Sequence, residues 1–368
     1  MNSEKNSEKC AEGKTRTCKR TKLHDGFSDN LTPTKSIDLQ KCKSVNDLVL
    51  AMRDTAFGGR QLGEAADVFE AMVREESCLK MLTLSGAMTV AKMGLVICDM
   101  IELGLVDIVI STGALMAHGF VEAAGMTHFK YDPSKMDDKE LYYAGYDRVY
   151  DTLELEKNLD DTEVIVREVL EALNGDHDQI SSYLINERLG EYLHKNVKGR
   201  GVLKSAFEKK VPVFIPAFTD SELGLDYGLY RRRLQLKGKK CVEYNPYLDL
   251  EKYTSMAFAA DNLGIFTIGG GVPRNWAQQV GPYLDIIEKR GVPGGAFKRF
   301  KYGVRICPEP VHWGGLSGCT YSEGISWGKF IPKEEGGMFA EVMSDATIAW
   351  PFVVKAVMER LEKNPLKK

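Results

Sequence analysis

Residues 80–125 read K-M-L-T-L-S-G-A-M-T-V-A-K-M-G-L-V-I-C-D-M-I-E-L-G-L-V-D-I-V-I-S-T-G-A-L-M-A-H-G-F-V-E-A-A-G. Met81 to Leu84 predicts a short buried strand that stops at Ser85-Gly86-Ala87. Beyond it Val90, Met93, Ile97, Met100 and Ile101 fall on one face of a helix. Leu105 to Ile110 is apolar except at Asp107, as a strand must be when both faces of a parallel sheet are covered. It ends at Ser111-Thr112-Gly113-Ala114, and Leu115 to Ala124 returns to helical spacing. This alternation predicts an α/β fold with a doubly wound, mostly parallel sheet, whose ligands bind beyond the C-terminal ends of the strands.

The pattern continues outward. Val211 to Phe218 is strand-like and ends at Thr219-Asp220-Ser221-Glu222. Leu250 to Asn262 predicts a helix, and Leu263 to Ile268 a strand ending at Gly269-Gly270-Gly271. Pro273 falls in the first turn of the next helix, where proline is tolerated. Tyr302 to Cys307 and Met338 to Met343 are further strands. Ser344-Asp345-Ala346 then opens a terminal helix bearing Trp350, Val353, Val354, Val357 and Leu361. Residues 125–161 are polar and rich in tyrosine (Tyr142, Tyr143, Tyr146, Tyr150), an excursion suited to a small hairpin or a subunit contact. Helices near 162–173 and 180–195 follow, and a third begins after Gly201. Upstream, Asn46-Asp47 caps a helix containing Leu48, Val49 and Met52. Phe57-Gly58-Gly59 breaks the chain before a longer helix with Leu62, Ala66, Phe69, Met72 and Val73. Residues 1–35 carry almost nothing apolar, so a disordered or loosely attached arm is expected before a single α/β domain over 36–368.

Composition narrows the functional classes. The chain has 368 residues, 43% hydrophobic and 27% charged, with ample material for a core. A net charge of -3 gives no basic field for nucleic acid or anionic membrane. No apolar run approaches the roughly 20 residues of a membrane span, and the first residues lack the apolar core of a secretory signal. The eight cysteines show no paired spacing, which fits reduced thiols and a cytoplasmic location. The six histidines show no zinc spacing, so no metal is expected.

Several predicted strands end in small or acidic residues that suit a nucleotide: Gly86-Ala87, Ser111-Thr112-Gly113, Asp220, Gly269-Gly270-Gly271 and Asp345-Ala346. Small residues let backbone N–H groups approach a phosphate at a helix N-terminus, and Asp220 or Asp345 can accept from ribose hydroxyls. Tight turns alone also explain such loops. Neither G-x-G-x-x-G nor a Walker lysine is present, so the ordinary Rossmann fingerprint is absent. The other chemical candidate is Trp313 to Phe330, W-G-G-L-S-G-C-T-Y-S-E-G-I-S-W-G-K-F. Lys329 stands there among Ile325, Trp327 and Phe330, with Glu323 as the nearest acid in the chain. Desolvation against indole would lower its pKa and make it a nucleophile that forms imines. From the stretch alone, a lysine snorkelling from a half-buried turn is the better reading, since apolar neighbours of lysine are common.

Five motifs in order resemble the deoxyhypusine synthase family: T-D-S-E-L-G (219–224), I-G-G-G-V-P (268–273), L-S-G-C-T (316–320), G-I-S-W-G-K (324–329) and S-D-A (344–346). The likeness extends over roughly residues 40–360, and S-W-G-K is its most specific part. The resemblance implies a Rossmann-like NAD-binding fold and transfer of a 4-aminobutyl group. Spermidine is oxidised at the expense of NAD, and the family's lysine, matched by Lys329, captures the butylamine part as diaminopropane leaves. An acceptor amine then displaces the lysine, and the product imine is reduced. Trp327 would stack on the cationic chain, while Glu323 would hold an ammonium or exchange protons. Ser317 belongs to the same matched loop. The resemblance also implies a homotetramer with sites at a dimer interface, NAD facing the lysine of the partner subunit.

The chain departs from that pattern around the polyamine. Trp313, Leu316 and Leu225 stand where aspartates are expected, His118 where a glutamate is, and Asn275 where a histidine is. Each lost charge-assisted contact is worth about 1.5–3 kcal/mol. Either nearby acids such as Glu222, Asp226 and Glu309 substitute, or the amine differs. His118 reads equally as an acid/base or as a structural hydrogen-bonding group. The departures favour a small diamine acceptor such as putrescine, giving homospermidine, over a protein lysine of a translation factor. An NAD-binding interaction protein without turnover is a third reading, opposed by the intact S-W-G-K.

Overall fold

The computed structural model describes residues 23–366, and the chain divides into two units between Lys35 and Ser36. Residues 1–22 of the expected arm lie outside the described residues. Helices α1 (Val45–Arg53) and α2 (Phe57–Arg74) lead into β1 (Cys78–Leu84), α3 (Gly94–Glu102), β2 (Ile108–Ser111) and α4 (Gly113–Ala123). The excursion is β3 (Phe129–Lys130), α5 (Asp138–Ala144), β4 (Tyr146–Val149) and β5 (Thr152–Leu155). It forms an antiparallel sheet, β3-β5-β4, which contains the expected hairpin. Next come α6 (Glu156–Asp176), β6 (Gln179–Ile180), α7 (Ser182–Asn196), α8 (Val202–Lys209), β7 (Val213–Phe214) and α9 (Glu222–Leu236). The remainder is β8 (Glu243–Tyr244), α10 (Tyr247–Ala259), β9 (Asn262–Ile268), α11 (Gly271–Gln278), α12 (Val280–Lys289), β10 (Phe300–Ile306), α13 (Tyr321–Ser326), β11 (Met338–Val342) and α14 (Ala346–Lys363).

Six strands pair in parallel in the order β11-β10-β9-β1-β2-β7. The chain starts in the middle, winds outward through β2 to β7, then returns to β9 and winds the other way. This is the order of dinucleotide-binding folds, and its switch point lies between β1 and β9. Both strands are covered on both faces, so their sequences are nearly all apolar. The buried exceptions, Thr83 and Thr267, satisfy each other at 2.9 Å. On one face α2 packs Ala65, Ala66, Phe69, Met72 and Val73 into a core that also holds Trp350, Val353 and Val357 of α14. A second cluster, including Tyr253, Phe300, Tyr321 and Phe330, lies under the lysine-bearing segment.

Several boundaries differ from expectation. Ser44, not Asn46-Asp47, caps α1, its side chain accepting from Asp47 N. Phe57-Gly58-Gly59 begins α2 instead of breaking the chain. Val90 and Met93 precede α3, because Lys92 adopts a left-handed φ of 63° just before it. The strand expected over 211–218 shrinks to β7, since Pro212 and Pro216 lack the N–H that a longer ladder needs. Ser221 caps α9, a helix that the sequence pattern does not reveal. No helix among the described residues is long and apolar enough to cross a membrane.

Candidate functional site

Lys329 follows α13, and its backbone is fixed on both sides. Its N–H donates to Gly324 O at 3.1 Å, and its carbonyl accepts from Phe300 N at 2.8 Å. Gly328 has φ 69°, a conformation that explains the glycine before the lysine. The side chain is only 8% exposed, and Nζ donates to Asn275 Oδ1 at 3.3 Å. Burial pushes the Lys329 pKa down. Arg274 pushes it the same way, while Cys319 and Glu323 act in opposition. The amine lines a cavity of about 290 Å³ together with Arg274, Asn275, Leu316, Cys319, Glu323 and Trp327. Trp327 is 68% exposed, so the indole does not account for the lysine's burial. Trp313 is absent from this lining and 71% exposed, on a 3-10 turn over Val311–Trp313.

The nucleotide candidates sit elsewhere in the chain. Gly86-Ala87 follows β1, and Ser111 ends β2, with Thr112 as N-cap and Gly113 as first residue of α4. Asp220 precedes α9, Gly269-Gly270-Gly271 joins β9 to α11, and Asp345-Ala346 opens α14. All therefore stand at the C-terminal ends of sheet strands. Ser85 ties the two loops of the switch point together, its Oγ accepting from Gly270 N at 2.9 Å and donating to Ile268 O at 3.2 Å. A Cβ on Gly270 would come within 2.5 Å of Ser317 Cα, so Ser317 is pressed against this loop. The N-termini of α4 and α11 have no side-chain cap. Those of α9 and α14 are capped by Ser221 and Asp345. None of the nucleotide candidates lines the lysine cavity.

The remaining candidates form two further groups. Glu222 and Asp226 line a separate cavity of about 180 Å³ with Asp160 and Glu163. Burial, then Glu163 and Glu222, push the Asp226 carboxyl up to about 7 against the pull of Arg233. His118 lies in the second turn of α4, within the helix expected over Leu115 to Ala124. Its Nδ1 is 3.2 Å from Glu154 Oε2, and His128 Nε2 lies 2.5 Å from the same oxygen, off the ideal hydrogen-bond line. Asn158 donates to Glu154 Oε1 at 2.8 Å. Burial opposes ionisation of Glu154, but the bonds from His118, His128 and Asn158 hold it well below the usual carboxylate range. Burial likewise lowers the His118 pKa, but Glu154, Glu222 and Asp147 raise it overall.

Two histidines and a carboxylate, with ligand atoms within 4.8 Å of one another, are a composition that can hold a metal. The fourth member argues otherwise. Lys92 Nζ lies 2.9 Å from His128 Nδ1, and an ammonium can only donate. Nε2 then carries the ring proton towards Glu154, where a metal would require a lone pair. The cluster is a hydrogen-bonded chain that holds His118. Sequence reading missed Glu154, His128 and Arg274, because no fixed spacing joins residues brought together only by the fold.

The chain has known relatives. The deoxyhypusine synthase family pattern matches residues 47–357. The chain belongs to the deoxyhypusine synthase family. It is similar to "Probable deoxyhypusine synthase 2" of Methanosarcina acetivorans, at 32% identity over 92% of each chain. It is also similar to the "Deoxyhypusine synthase-like protein" of Chlorobaculum tepidum, at 33% identity over 87% of this chain and 88% of that one. A crystal structure provisionally named deoxyhypusine synthase, from Entamoeba histolytica, shares the fold at TM-score 0.57 and 14% identity, covering 88% of this chain and 96% of its own. The chain is thus an aminobutyl transferase of a family that depends on NAD.

Proposed function

We propose that the protein is an NAD-dependent 4-aminobutyl transferase that uses spermidine as donor, Lys329 as carrier and a small diamine such as putrescine as acceptor. The supporting observation is the state of Lys329, a buried amine whose hydrogen-bond partner is the amide of Asn275 instead of a carboxylate. A lysine paired with an amide keeps less reason to hold its proton than one in a salt bridge, and a neutral amine is what transimination needs. Nζ attacks the imine carbon of the oxidised donor, diaminopropane leaves, and an acceptor nitrogen later takes the butylamine from Nζ.

The strand ends fit the cofactor. The uncapped N-termini of α4 and α11 leave backbone N–H groups for phosphate oxygens, and Gly271, where a Cβ would meet nothing, leaves the start of α11 open to approach. Gly86, Thr112, Gly113 and Gly269 to Gly271 would hold the pyrophosphate side, and exposed Asp220 and Asp345 the ribose side. Bound there, NAD supplies the hydride acceptor for the donor amine and the hydride for the product imine. Glu222 and Asp226 give a second anionic site for the far ammonium of a polyamine. Asp226, whose carboxyl is pushed up to about 7, would release its proton as that charge enters. The separate linings of this site and of the Lys329 cavity accord with sites that two subunits complete, within the homotetramer that the family resemblance implies.

The small acceptor is supported by the lysine cavity, whose carboxylate is Glu323 and whose walls include Leu316 and Trp327. A basic protein loop would need an acidic rim to steer it. The relatives' names support the other reading, transfer to a protein lysine. A competition between putrescine and a candidate acceptor protein at equal concentration, scored with labelled spermidine, decides. Label mainly in homospermidine is expected, and label mainly on protein would overturn the small-acceptor reading.

A further inference from the structure

Arg274 is an anomaly beside Lys329. Its side chain is among the most buried in the protein at 2% exposure, yet among the described residues it makes no ion pair. Nη1 makes only long contacts to the carbonyls of Leu316 (3.3 Å) and Ser317 (3.5 Å), and Nε and Nη2 have no partner. Glu341, whose charge acts on Arg274, is taken by Arg305 at 2.9 Å, and Arg305 also bonds the carbonyls of Ser317 and Cys319. Two buried arginines thus share one acid, and one positive charge is left over. The face of Tyr321 at 5.5 Å offers it a cation–π contact, a partial substitute for a counter-ion. An uncompensated buried charge destabilises a fold, so its persistence calls for a use.

The geometry points to Lys329 as that use. Arg274 lines the same cavity as the amine, and its neighbour in α11, Asn275, holds Nζ. We propose that Arg274 is the positioning residue for Lys329: its fixed, unpaired positive charge keeps the adjacent amine uncharged, while the next residue aims it. A cation beside a lysine disfavours a second cation, and guanidinium cannot give up its own proton to relieve the conflict. Cys319 and Glu323 are the titratable groups that face Lys329 with the opposite effect. Glu323 belongs to the short α13 and lines the cavity, so it can neutralise an incoming ammonium without quenching Arg274.

The inference rests on Lys329 as the imine-forming residue, and its test needs neither polyamine, NAD nor acceptor. Butanal and an amine lose water to form an imine; cyanoborohydride adds hydride to the imine carbon, solvent supplies the proton, and N-butyl-lysine results. Its rate at Lys329, followed by peptide mass spectrometry against pH on the full-length protein, reports the free-base fraction. Lys301, paired with Glu75 at 2.8 Å, serves as internal reference. Arg274→Met should move the Lys329 profile to higher pH by about one unit, an approximately tenfold slower reaction at neutral pH. Arg274→Lys should move part of the way towards the Arg274→Met profile, because a buried ammonium can give up the proton that guanidinium keeps, and Arg274→Met should melt no lower than wild type, since it removes an unpaired buried charge. Superimposable Lys329 profiles for wild type and Arg274→Met would overturn the inference. So would protection of wild-type Lys329 by millimolar acetate that vanishes in Arg274→Met, which would make Arg274 an anion-binding group. A Lys329 profile that shifts with Arg274→Met in a protein that transfers nothing would support Arg274's role and count against the proposed function alone.

Discussion

At the scale of single residues, the surroundings of two titratable groups set the chemistry. Lys329→Arg keeps a positive charge and the stem but cannot become a nucleophile. Aminobutyl transfer should fall by about a thousandfold or more, while NAD binding by titration calorimetry stays within about threefold of wild type. Asp226 is the second group. A carboxyl that holds its proton to about pH 7 in the folded chain but releases it near 3.8 when unfolded makes stability fall as pH rises through that window. Asp226→Asn removes the fall. It should stabilise the protein by about 1–2 kcal/mol at pH 8, allowing for partial solvent screening, and by nothing measurable at pH 4. Melting curves at the two pH values check this, and equal effects at both would refute it. Lys329 was legible in the sequence because S-W-G-K is a local string. Arg274 was not, because an arginine in a short amphipathic helix reads as a surface residue until the fold shows where Glu341 points.

At the scale of elements, the alternation of apolar strands and helices was legible because covered parallel strands have few alternatives. The strand order was not. It depends on which strands meet across the sheet, and only pairings such as Leu84 with Ile268 fix the switch point between β1 and β9. The same limit hid α9, whose apolar residues lack a clear stripe. Gly270 shows what the order achieves. It joins the switch point to the lysine loop, its N–H bonding Ser85 and its missing Cβ leaving room for the Ser317 backbone. Gly270→Ala would push backbone against backbone, at a cost of about 1–3 kcal/mol. It should weaken NAD binding and slow Lys329 alkylation together, although the residue touches neither the amine nor its cavity. An effect on NAD alone would show that the two loops are mechanically independent.

At the scale of the whole molecule, the proposed parts of one reaction do not share a cavity within the chain. The lysine cavity is lined from α11, α13 and the 311–319 loop, and the nucleotide candidates stand at strand ends outside that lining. Hydride chemistry needs donor carbon, lysine and nicotinamide within contact distance, and in the proposed assembly a second copy would supply the missing half. Lys329→Ala should remove only the carrier, and Asp345→Lys should damage only the strand-end half, where Asp345 caps α14 through Thr347 N at 2.7 Å. Each homo-oligomer should then be inactive. After mixing, dissociation and reassembly, half of the interfaces join unlike subunits, and each of those carries one intact site of two. About a quarter of wild-type activity should return if the interface is a symmetric pair. Native mass spectrometry must show the mixed oligomers in the same sample. If they are present and activity stays at zero, both halves of each site come from one chain, and the path between them must open within the monomer by movement of the 311–319 loop.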